Sequence, residues 1–190
     1  EEVNHVSEIA DDLMTFFIES RQEAIFYHDF VAKVIPRKIF LKDSFLSDMY
    51  KKYPFNAALL IMEPGTIYNW HKDGRRKATI NMVVNATESI CIFMDPSEEQ
   101  AMVNHITELR YQAGSYYLFN TEHRHLVVNQ DVKPRFLFSV EFHDKEDGSI
   151  VDYNDLEIEN ELFELSKPQA RPNKVANASP VSGSQCHSAR

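Results

Sequence analysis

Between Asn56 and His143 the chain divides into eight short strand-like runs, and this pattern constrains the fold more than any other feature. The runs cover residues 57–62, 66–70, 77–84, 89–94, 103–111, 115–119, 124–128 and 135–142. Turn signals separate most of them: Pro64-Gly65, Asp73-Gly74, Asn85, Asp95-Pro96, Ala113-Gly114, Asn120 and Lys133-Pro134. Short strands at regular spacing predict an all-β sandwich or barrel. Thirteen Phe and eight Tyr against five Gly agree with a strand-rich interior. Ahead of the runs, Val3, Val6, Ile9, Leu13, Phe16 and Phe17 recur at steps of three and four, which predicts an amphipathic helix over 3–20. A second helix is expected over 44–53, capped by Asp43 or Ser44. The expected fold class is therefore mainly β (α+β): a jelly roll of about eight strands with N-terminal supporting helices on its outside.

At 190 residues the chain is expected to be one domain over 1–165, with helical support at 3–53 and a β core at 56–143. Residues 144–164 carry nine acidic residues and one lysine, which suggests a solvated helix face. Residues 166–190 are rich in Ser, Pro, Ala and Asn and offer almost no large apolar side chain to offset ordering entropy, so a flexible tail is expected.

Charge and cysteine content narrow the function classes. The net charge is −9, and the four basic residues from Lys167 onward have no acidic companions, so the body is more acidic still. That balance argues against nucleic acid as a partner, because phosphate contact needs a basic surface. Cys91 and Cys186 are far apart and do not suggest a disulfide framework. No apolar stretch approaches a membrane span, and the N-terminus has no signal-like core, so a cytoplasmic protein without membrane association is expected.

The chemistry concentrates in Glu63-Pro-Gly-Thr-Ile-Tyr-Asn-Trp-His-Lys-Asp73. His71 and Asp73 are two apart, and alternate residues of an extended segment share a face. An imidazole and a carboxylate so placed are two thirds of a facial triad, in which two His and one carboxylate hold a metal and leave its other side open. His123 and His125 both offer the third ligand at alternate positions of one segment. Arg135, ten residues after His125, favours His125, because a hairpin would bring the two alongside on neighbouring inward faces. A buried Arg beside a metal grips a carboxylate in two places. A triad with such a clamp suits a 2-oxo acid.

Residues 57–142 resemble the catalytic core of the Fe(II)/2-oxoglutarate-dependent dioxygenases, nearest to the prolyl-4-hydroxylase-like branch. The likeness rests on Glu63-Pro-Gly, Tyr68, His71-x-Asp73, Arg76-Lys-Ala-Thr79-Ile-Asn81-Met-Val-Val-Asn85, Gly114-Ser-Tyr-Tyr-Leu-Phe119, His125 and Arg135, in that order. It implies a double-stranded β-helix, with His71, Asp73 and His125 as iron ligands and Arg135 as the clamp on 2-oxoglutarate. It implies Fe(II), 2-oxoglutarate and O2 as cofactor and cosubstrates, and admits ascorbate as a reductant. Tyr68 matches an aromatic lining the pocket, and Thr79, Asn81 and Val83 are expected to point inward. Some relatives carry a cosubstrate-holding Tyr where Val83 stands, which leaves Asn81 or Tyr117 as the second contact. His123, Tyr117, Arg76 and Thr79 are candidates for the substrate side or for support of the ligands. No separate acid or base is expected, since the metal would carry the reaction. The related halogenases lack the carboxylate, so Asp73 favours hydroxylation or demethylation. The implied reaction hydroxylates a C–H bond of a peptidyl residue (proline-like) or of a small molecule and releases succinate and CO2.

Two other readings compete. A cupin-type metal module needs His-x-His followed closely by Glu, yet after His123-x-His125 the next glutamate is Glu141. A non-catalytic jelly-roll module is expected to have lost one of the four site residues, and none is missing. Lys72, Arg75, Arg76 and Lys77 cluster beside the motif, as a solvated turn or as an attractor of anionic substrate.

Overall fold

The computed structural model describes residues 2–27, 29–74, 76–94 and 106–143. The acidic stretch 144–164, the tail 166–190 and the start of the run at 103–111 lie outside the described residues. Among the described residues eleven strands form two antiparallel sheets. They are β1 (Glu2–Val6), β2 (Ile25–Phe26), β3 (Val31–Ile35), β4 (Phe55–Met62), β5 (Ile67–His71), β6 (Ala78–Val83), β7 (Ser89–Met94), β8 (Ile106–Arg110), β9 (Ser115–Asn120), β10 (His125–Asn129) and β11 (Arg135–Phe142). The larger sheet runs β1-β9-β6-β11-β4-β3-β2 and the smaller β5-β10-β7-β8. This is a double-stranded β-helix, mainly β, with three helices: α1 (Ala10–Glu19), α2 (Arg37–Phe40) and α3 (Ser44–Lys52).

The period of two in the large sheet separates two interiors. On β11, Phe138, Val140 and Phe142 face one way and are fully or nearly fully buried. They join Phe55, Leu59, Ile80 and Met82 from β4 and β6, and the sheet face so formed is covered by Leu13 of α1 and by Leu46 and Met49 of α3. Burying these side chains against helices stabilises the fold by roughly 1.5–3 kcal/mol per large residue. Arg135, Leu137 and Ser139 take the other face, toward the smaller sheet, as alternation requires. Asn81 stands opposite Ser139 in the β6–β11 ladder and so shares that face.

Residues 2–20 depart from expectation. They do not form one helix from Val3: the first five are strand β1, and α1 starts only at Ala10. β1 pairs with β9, which would otherwise be a sheet edge with unpaired backbone groups. Val3 is buried while Val6 is exposed, so the segment obeys a period of two where the spacing had suggested 3.6. Likewise the 3–53 region is not only helical support, since β1, β2 and β3 all join the large sheet.

Asp43 is the cap of α3, accepting from the Leu46 N–H at 3.1 Å. Its other oxygen accepts from the Glu8 N–H and the Tyr116 hydroxyl, both at 2.9 Å, tying β9, α3 and the approach to α1 together. Between β4 and β5, Gly65 has φ 68°, as the third residue of a turn closed by Thr66 N–H to Glu63 C=O requires. The fully buried Asn129 then donates to the carbonyls of Met62, Glu63 and Lys133. One amide thereby locks the end of β10 to β4 and to the crossing into β11.

Candidate metal centre and anion pocket

The pocket lies between the sheets and is lined by residues of both. His71 closes β5 and His125 opens β10, and the two stand directly opposite each other in the β5–β10 ladder. Opposed residues project to the same face, and the two rings lie 4.1 Å apart. A register shift between His125 and Val127 lets the strand turn its first side chain toward the pocket. Asp73 lies two residues past the end of β5. Its N–H donates to the Thr121 carbonyl at 3.1 Å, and its Oδ1 is 3.6 Å from His71 Nε2. One ligand atom from each of His71, Asp73 and His125 falls within 4.8 Å of the others.

Hydrogen bonds fix which nitrogen of each histidine is free. His71 Nδ1 donates to the Asn69 carbonyl at 2.6 Å, and His125 Nδ1 donates to the His123 carbonyl at 2.9 Å. A carbonyl only accepts, so each Nδ1 carries the proton and each Nε2 presents a lone pair. Burial is the main reason that the His125 pKa lies below the ordinary histidine value. The ring is therefore neutral at pH 7, the form that binds a metal.

The opposite end of the pocket belongs to the large sheet. Arg135, only 4% exposed, opens β11 opposite Met62. Its guanidinium carbon lies 4.8 Å from the centre of the Tyr111 ring. Among the described residues, Nε and Nη2 of this buried cation have no hydrogen-bond partner, and neither does Oδ1 of Asn81. Burying unpaired donors of a charged group costs several kcal/mol, about as much as leaving an ion pair half made. An anion in the pocket removes that cost. The cavity measures about 110 Å³ and opens to solvent at one side. Leu60, Met62, Val127 and Leu137 supply its apolar walls. At the mouth, Tyr68 packs against His71 at 3.9 Å and Phe30 meets Tyr68 edge-on at 5.5 Å.

Several expectations need correction. Arg135 does not reach the site through a hairpin with His125, because β10 and β11 belong to different sheets and the chain crosses between them. It meets the metal end from across the sandwich. His123 lies in a turn and not on a strand, so alternation with His125 fails. Its side chain lines a separate hollow with Phe93 and Leu109, and only its carbonyl serves the cluster. Tyr117 is buried but does not line the pocket, and its hydroxyl accepts from the Gln112 N–H at 3.0 Å. Thr79 also lies outside the lining, so of its two candidate roles only support of the ligands remains: it donates to the Val140 carbonyl at 2.7 Å and accepts from Arg76 Nη1 at 3.1 Å. Arg76 turns inward to Asp73 and so leaves the basic surface cluster, while Arg75 lies outside the described residues.

Tyr111 and Thr121 line the pocket without a signal in the sequence, and Cys91 lies behind Tyr111. Tyr111 follows β8 and is half-buried beside Arg135 and Cys91; desolvation raises its pKa well above the ordinary tyrosine value. Cys91 is likewise desolvated, and its thiol is pushed up to about 12, so it stays protonated. Thr121 accepts no strand role but holds the Asp73 segment, its hydroxyl donating to the Arg76 carbonyl and its N–H to that of Lys77.

No family model matches the sequence, and no curated protein matches it. Among solved structures, a prolyl-4-hydroxylase from Pseudomonas putida aligns with 70% of this chain and 82% of its own, at 17% identity and a TM-score of 0.51. Oxalate decarboxylase from Bacillus subtilis aligns with 70% of this chain at 17% identity and a TM-score of 0.44. A vicilin from Solanum melongena aligns with 66% at 10% identity and a TM-score of 0.43. This chain spans about a third of the length of those last two proteins, 30% and 31% respectively. At such identities the shared property is the jelly-roll fold. Among the described residues no helix is long and apolar enough to cross a membrane.

Proposed function

We propose that the chain is an oxygenase that uses Fe(II) and 2-oxoglutarate to hydroxylate a C–H bond of a proline-like peptidyl residue or a small molecule. The observation that supports this most is Arg135: a buried cation with two nitrogens unpartnered among the described residues, lining the same cavity as the His71–Asp73–His125 cluster. A metal site alone would suit many chemistries. A metal site facing an unpaired guanidinium suits a small dianion with one end on each.

In this reading His71 Nε2, Asp73 Oδ1 and His125 Nε2 hold the metal and leave its pocket side open. The two nitrogens and one oxygen suit Fe(II), Mn(II) and similar divalent ions. Arg135 pairs with the distal carboxylate of the cosubstrate, and the Asn81 amide offers a further polar contact. Tyr68, Phe30 and Val127 shield the reacting end from water. When bound, Fe(II) supplies O2 activation coupled to decarboxylation of 2-oxoglutarate, giving succinate, CO2 and a hydroxylated product. The residues of this chain orient the partners and exclude water.

The test is succinate release from 2-oxoglutarate with Fe(II) and ascorbate, alone and across a panel of proline-containing peptides and amino acids. Metal-dependent succinate, stimulated by at least one panel member, is the expected result. No succinate under any condition would remove the oxygenase reading.

A further inference from the structure

We propose that Arg76 is a positioning residue that confines Asp73 to one-oxygen coordination, thereby keeping two adjacent metal positions free for a chelating ligand. The inference rests on the metal-centre reading above. Its basis is the way the two carboxylate oxygens divide. Oδ1 faces His71 Nε2 at 3.6 Å, on the side of the ligand cluster. Oδ2 accepts from Arg76 Nε at 2.7 Å. Carboxylates bind metals through one oxygen or through both. An oxygen already engaged by a short, charge-assisted hydrogen bond is withdrawn from that choice.

Arg76 can impose this because it cannot move. Its Nη1 donates to Thr79 Oγ1 at 3.1 Å, Ser139 Oγ at 3.0 Å and the Val140 carbonyl at 3.2 Å. Ser139 and Val140 belong to β11, the strand at the middle of the large sheet. The Arg76 carbonyl is held in turn by the Thr121 hydroxyl. The guanidinium is thus a strut between the middle strand of the large sheet and a carboxylate on a loop. An unrestrained Asp73 would be free to rotate and place both oxygens on the metal. A second oxygen there would occupy a position that a two-point ligand needs, but would leave room for a one-point ligand.

This difference supplies the test. The full chain is loaded with Mn(II), followed by the loss of the free-ion EPR signal, and then titrated calorimetrically with oxalate, which chelates, and with azide, which binds at one point. Oxalate is too short to be judged by Arg135, so the readout reports the metal's open face. Arg76→Gln is expected to weaken oxalate binding about tenfold, the lower range for residues that orient a metal ligand, while azide stays within about twofold. Arg76→Lys keeps a donor for Oδ2 and is expected to recover most of the oxalate affinity. Should Arg76→Gln not fold, Ser139→Ala loosens the strut without touching the ion pair and is expected to cost about threefold for oxalate alone. Equal oxalate affinity in wild type and variants, or equal losses for oxalate and azide, overturns the proposal. If the wild type takes up no Mn(II), the metal-centre reading itself fails and this one with it.

Discussion

The two ends of the pocket are built from different material. The metal end sits where strands of the small sheet begin and stop, on His71, Asp73 and His125, of which the first two are only partly buried. The anion end sits on β11 and β6, paired on both sides within the large sheet and buried on both faces. Loops and strand ends tolerate substitution and local opening; central strands do not. The comparison teaches that the two ends contribute differently to the stability of the fold even though one ligand would span both, and Arg76 touches both Asp73 and β11.

The largest expected effect lies at the metal end. Asp73→Ala is predicted to lower metal-dependent turnover by about a thousandfold, on the order of 4 kcal/mol, while thermal unfolding of the metal-free protein shifts little. A large stability loss there would mean that the two ends do not differ in this way. Next comes the scaffold behind the anion end: Phe138→Ala should cost about 3–5 kcal/mol in urea unfolding, because it opens a cavity under the central strand. Arg135→Met sharpens the contrast. It should raise the apparent 2-oxoglutarate KM strongly yet stabilise the ligand-free fold by about 1–2 kcal/mol, since it removes a buried unpaired charge. Loss of stability instead would show that the guanidinium is already satisfied. The smallest effect is expected from Tyr111→Phe, which keeps the ring against Arg135 but removes the hydroxyl that hydrogen-bonds it, and should raise that KM several-fold, about 1 kcal/mol.

The same division explains what could be read in the sequence. Each of the eight runs of the core holds a strand among the described residues, because each is long enough for alternation and most are bounded by turn residues. The N-terminal strands were not visible. Val3 to Phe17 carries a helical period, and only the open edge of β9 makes its first residues a strand, a tertiary effect that local pattern cannot encode. His71 and Asp73 were legible because their spacing lies within one segment. Arg135 was legible as a residue and misread as to route, since no local signal tells a hairpin from a crossing between sheets. His123 misled for the opposite reason: alternation was assumed from 123 to 125, but the strand begins only at His125. Tyr111 carried no motif, and only the fold sets it against Arg135.

The most direct measurement is 2-oxoglutarate binding by calorimetry, with and without Mn(II) in the absence of O2. Because the cluster and Arg135 line one cavity, metal should tighten 2-oxoglutarate at least tenfold, and Asp73→Ala should abolish that gain. An affinity indifferent to metal would contradict the idea that one dianion spans both ends.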